Sequence, residues 1–140
     1  DVSPQDIAII ASGAFLLLGL ITGVWKYRQI RRASDHQAHP YVDIAHRASL
    51  LYAFACLVIA EFASRSPLSE ALTMACVLAP LSFFAIAVGA YIVHGFKRDT
   101  DNQFEDPGWI STWTMYALIA AEVGGFGLLF VAVVWDMVTA

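Results

Sequence analysis

IAIIASGAFLLLGLITGVW, residues 7–25, runs directly into KYRQIRR, residues 26–32. The first stretch carries no charge and is close to the roughly 20 apolar residues a helix needs to cross a bilayer. The second is basic, with Tyr27 and Ile30 set at the membrane boundary. Ser3-Pro4 leads into the pair. Serine is a good helix N-cap, and proline suits the first helical turn, where its missing N–H would be unsatisfied anyway.

The same lead-in recurs at His39-Pro40, Ser66-Pro67 and Asp106-Pro107, each before another long apolar run. The pattern predicts an all-α membrane four-helix bundle, up-down-up-down, in a single domain over 1–140. Its helices are expected at about 4–32, 40–64, 67–96 and 107–138. Composition agrees. The chain is 59% hydrophobic and 14% charged, with mean hydropathy +0.63. Soluble domains carry roughly 45–50% apolar and about 25% charged residues. Residues 7–25 have the length of a signal-peptide core. No basic region precedes them and one follows, so a retained helix is expected.

Basic residues set the orientation. Lys26, Arg28, Arg31, Arg32 and Arg47 flank the first connection, and Lys97 and Arg98 the third, against Arg65 alone at the second. The positive-inside rule then puts both termini on the extracytoplasmic side, with a bacterial inner membrane as the expected location. Trp25, Tyr27, Tyr41, Trp109 and Trp113 fall near the cytoplasmic interface, and Trp135 near the outer one. Arg28, Arg31 and Arg32 suit anionic lipid headgroups. The acids of 97–108 are expected to pair with them.

Small residues mark packing faces. Gly19 and Gly23 form a GxxxG pair, and Gly124, Gly125 and Gly127 smooth the fourth helix, for packing within the bundle or against another subunit. Pro80 interrupts the third helix and frees the carbonyl near Cys76. Cys56 and Cys76 read as small buried hydrophobes.

Polar residues at depth are the candidates for chemistry. His39, Asp43 and His46 follow i, i+4, i+7 spacing, and His94 ends the third helix on the same side. Imidazoles facing across a bundle can ligate haem iron, and with a carboxylate they can hold a transition metal. The plain alternatives are helix capping, favourable placement of Asp43 at the positive helix end, and an Asp43–Arg47 pair. Glu122 lies near the middle of the fourth helix. A carboxyl there is costly and marks a functional position by default. Ser82, Tyr116 or a carbonyl could meet it, as could a partner helix, a proton or an ion. Glu61 can reach Arg65, its i+4 neighbour.

Several classes are excluded by pattern. The chain has no two-CxxC or HExxH zinc pattern, no phosphate-binding glycine loop, no nucleophile triad and no nucleic-acid module. Asp99, Asp101 and Asn102 lack the glycine and closing glutamate of a calcium loop. The leading expectation is a non-catalytic accessory or structural subunit, contacting lipid and other membrane subunits or a second copy. The alternatives are a haem- or metal-binding protein using His39, Asp43, His46 and His94, and a proton- or ion-coupled carrier using Glu122.

Overall fold

The structure is a computed structural model and describes residues 2–105 and 108–140. Its helices are α1 (Pro4–Arg32), α2 (Pro40–Ser64), α3 (Glu70–Lys97), α4 (Trp109–Ile119) and α5 (Gly125–Thr139), the last two joined by a π turn (Ala120–Gly124). The fold is all-α. Four helical spans are long and apolar enough to cross a membrane, α4, the π turn and α5 together making the fourth.

Local cap chemistry explains the starts of α1 and α2. The Ser3 hydroxyl accepts from the Asp6 N–H at 3.1 Å, and Asp6 accepts from the Ser3 N–H at 3.1 Å, a reciprocal capping box. At α2, His39 Nδ1 accepts from the Tyr41 N–H at 3.3 Å, and the His39 N–H donates to Gln29 Oε1 at 2.9 Å.

The third helix corrects the expectation of a start at residue 67. It begins at Glu70 with Ser69 as N-cap. Ser66 explains the delay: its hydroxyl accepts from the Leu68 N–H at 3.2 Å and bonds Thr73 Oγ1 at 2.8 Å. A side-chain turn therefore occupies residues 66–68, and Pro67 shapes that turn rather than a helix. The helix ends at Lys97, one residue later than expected. The expected fourth start at Asp106-Pro107 lies outside the described residues, and α4 is described from Trp109.

α1 and α2 approach each other closely. An alanine methyl placed at Gly19 would lie 2.6 Å from Leu50 Cδ2, and one at Gly23 would lie 2.9 Å from His46 Cε1. These glycines let the two backbones approach, as small residues do in lipid. Ser12 donates to the Ala53 carbonyl at 2.8 Å across the same seam, in a buried position. Such bonds between membrane helices contribute on average ~0.6 kcal/mol. Toward the other end, Lys26 meets Asp43 at 2.6 Å.

Phe15, Tyr52 and Phe84 join α1, α2 and α3 in one aromatic cluster, with Tyr52 stacked on Phe84 at 4.1 Å. Gly125 brings α5 onto α3, where a methyl would lie 3.2 Å from the Cys76 carbonyl and 3.3 Å from Pro80 Cδ. The carbonyl four residues before Pro80 is thus close to the smooth face of α5. Cys56 and Cys76 are both free and buried.

α3 carries a paired test of this packing. At Gly95 a methyl would lie 2.9 Å from Val42 Cγ2, 3.1 Å from Trp25 Cη2 and 3.3 Å from Val42 N, whereas at Gly89 it would meet nothing within 4 Å. Gly95→Ala should destabilise the bundle by about 1–3 kcal/mol through overpacking. Gly89→Ala should be neutral or stabilising by up to ~1 kcal/mol, the helix-propensity gain. Unfolding of both variants in detergent checks this, and equal effects would contradict the packing described.

Candidate functional site

The polar end of the bundle is organised around Tyr41, which is 4% exposed. Its ring lies 5.9 Å from Tyr91, 5.2 Å from His94 and 6.2 Å from His39. Its hydroxyl oxygen accepts from the Gln103 N–H at 2.6 Å. One side chain in the first turn of α2 thereby holds the end of α3 and the following connection. The sequence alone places Tyr41 in the interfacial aromatic belt. Its burial depends on rings brought from α3, which no local pattern in α2 reveals.

The candidate ligands each have separate partners. His46 Nδ1 lies 2.8 Å from the Gly19 carbonyl. A carbonyl only accepts, so Nδ1 carries the hydrogen, and Nε2 is the acceptor nitrogen of the neutral ring. His94 Nδ1 lies 2.8 Å from Asp99 Oδ1, and His39 Nε2 lies 3.3 Å from Asp101 Oδ1. Asp43 sits between two cations, Lys26 at 2.6 Å and Arg47 at 2.8 Å. Among the described residues, no group of three or more His, Cys, Asp or Glu side chains comes together to hold a metal ion.

Asp99 and Asp101 therefore meet histidines, not the α1 arginines as expected. The His94 hydrogen bond holds the Asp99 carboxyl below the ordinary aspartate value. A carboxyl lowered in this way favours the folded connection above the ordinary aspartate pKa. That contribution is lost as pH falls through the lowered value. At the opposite end of α2, Glu61 accepts from Arg65 Nε at 2.6 Å, the expected i, i+4 pair.

The fourth span differs from the other three. Only 11% of its most apolar stretch is buried, against 28%, 33% and 39% in α1, α2 and α3. None of the described side chains of α4 is buried, and Trp113 is 67% exposed. Between α4 and α3 lies a cleft of about 650 Å³. Phe83, Ala87 and Leu118 give it apolar walls, Tyr52 and Tyr91 line it deeper in the bundle, and His94 and Gln103 stand near its polar end. Gly124 and Gly127 face open space, whereas Gly19, Gly23 and Gly125 are used in contacts within the chain.

Glu122 lies in the π turn that joins α4 to α5. Such turns are rare and frequent at functional positions. Ser82 does not meet Glu122, because its hydroxyl donates to Leu78 of its own helix at 2.8 Å. Glu122 Oε1 is buried and has no hydrogen-bond partner among the described residues. The carboxyl borders a cavity of about 300 Å³ otherwise lined by Ala55, Val58, Ile59, Pro80, Phe84 and Phe126, all apolar. Tyr52 and Tyr91 lie within electrostatic reach of it. Counting along the helix locates Glu122 at depth. The π turn has no comparable sequence signal.

Comparison with protein-family models, with curated proteins and with solved structures finds no match.

Proposed function

We propose that this chain is a non-catalytic accessory or structural subunit of a larger membrane assembly. In this reading it is an up-down-up-down bundle in a bacterial inner membrane with both termini on the extracytoplasmic side. The observation that carries the reading is the unpacked α4, which stands across a cleft of about 650 Å³ from α3. Helices in lipid associate through close packing and interhelical hydrogen bonds, because lipid tails are as apolar as the side chains themselves. A helix with none of its described side chains buried leaves that surface available for close packing against another chain. Gly124 and Gly127, open where Gly125 is occupied, allow a second backbone to come close on the same span. The partner that fits is an apolar transmembrane helix, from another subunit or a second copy of this chain.

Photo-crosslinking in native membranes tests this. A photoreactive residue at Trp113 should capture a polypeptide of defined mass, while one at Leu17, exposed on α1, should capture lipid. Lipid alone at both positions would contradict the reading.

Glu122 Oε1, without a partner among the described residues, favours a second reading, a proton- or ion-coupled carrier. A carboxyl at this depth is costly unless it is protonated or paired, and Tyr52 and Tyr91, which line the cleft, lie within electrostatic reach of it. On this reading Glu122→Gln abolishes proton flux in liposomes containing the protein. Flux equal to that of the unaltered chain removes Glu122 from the account.

A further inference from the structure

A second pocket, of about 650 Å³, lies where the end of α1, the 33–39 connection and the end of α3 meet. Arg28, Arg32 and Arg98 line it, with Trp25 and Asp35 beside them. Arg98 comes from a distant part of the sequence. It ends α3 in the left-handed region, at φ 51°, with its N–H donating to the His94 carbonyl at 2.8 Å. A non-glycine residue held there costs roughly 1 kcal/mol or more, so its placement is imposed by the surroundings. None of the three arginines makes a salt bridge among the described residues. The carboxyl of Asp35 accepts from the Gln37 N–H at 3.1 Å and leaves the pocket with an excess of positive charge. His39, at the rim, faces Asp101.

Directly beside this pocket runs an apolar groove of about 470 Å³ along α1 and α3, lined by Leu18, Ile21, Val24, Ile92 and Phe96. Trp25 and Arg28 line both cavities and so join them. A basic cup that continues into an apolar channel on a membrane helix has the polarity of a phospholipid: charge at the interface and hydrocarbon below it. Arginine also suits the group, because its planar fork donates two parallel hydrogen bonds to phosphate oxygens.

We propose that the pocket and groove form one binding site for an anionic phospholipid, with its phosphate held by Arg28, Arg32 and Arg98 and an acyl chain laid between α1 and α3. Arg31 lines neither cavity. It belongs to the general basic surface and not to the site, although it shares the sequence cluster with Arg28 and Arg32. The proposal concerns the isolated chain and does not depend on any partner subunit.

The test is native mass spectrometry of the full chain, stripped of lipid and returned to phosphatidylcholine nanodiscs containing a small fraction of phosphatidylglycerol. The unaltered protein and Arg31→Ala should each retain one phosphatidylglycerol. The double variant Arg28→Ala, Arg98→Ala should bind it roughly 30-fold more weakly, from the usual contribution of a basic residue at a membrane surface. Val24→Trp, which fills the groove, should also weaken retention of the lipid while leaving the binding of glycerol phosphate unchanged. All four altered side chains are exposed, so the bundle itself is not perturbed. Equal losses in Arg31→Ala and the double variant would show diffuse charge and overturn the site. Equal retention of phosphatidylcholine would also overturn it. Glycerol phosphate that binds as tightly as the lipid would identify a free-phosphate pocket and overturn the lipid assignment.

Discussion

The close approach of α1 and α2 at Gly19 and Gly23 is the contact on which the rest of the molecule depends. It lets His46 enter the α1 surface and donate from Nδ1 to the Gly19 carbonyl at 2.8 Å. The same carbonyl accepts from the Thr22 hydroxyl at 3.0 Å. A bulkier residue at either glycine would separate the helices and leave a half-buried imidazole without its acceptor, a costly outcome in lipid. Ser12 and Ala53 on one side of this seam, and Lys26 and Asp43 on the other, fix its register. Once α1 and α2 are set, Tyr41 and Tyr52 are presented to α3, and their ring contacts bring that helix in.

Packing is weakest in the fourth span, and within it in α4. α1, α2 and α3 share the main core, in which Ala8, Ala53, Cys56, Val77 and Val88 are almost fully buried. α5 packs Phe126 against that core and forms a second, smaller cluster with Cys76 through Leu129 and Val133. α4 has no such anchor. The π turn sits where the fourth span changes from the packed α5 to the unpacked α4, and it carries Glu122 at that boundary. Glu122 Oε1, without a hydrogen-bond partner among the described residues, therefore lies where the chain's own packing ends. The arginine pocket occupies the opposite flank, so the lipid-facing and partner-facing readings concern different surfaces.

How much of this was legible in the sequence follows from how local each cause is. The four spans and the caps at Ser3 and His39 depend on neighbours within a few residues, and periodicity and proline placement reveal them. Pro67 misleads for a local reason as well, because Ser66 and Thr73 build a competing turn. The roles of His46, Tyr41 and Arg98 were not legible. Each depends on a backbone or a ring from another helix: the Gly19 carbonyl, Tyr91 and the end of α1. The glycines show the distinction most clearly, since Gly124 and Gly125 are adjacent and identical in type, yet only Gly125 meets α3. The histidines and Asp43 cluster in sequence, but ion pairs and helix capping distribute them among separate partners.

The unpacked fourth span is proposed to be completed by another polypeptide. Native mass spectrometry of the protein extracted gently from its own membrane tests it most directly. This chain should emerge bound to further polypeptide, a partner or a second copy, at fixed stoichiometry. A bare monomer carrying only lipid would contradict it.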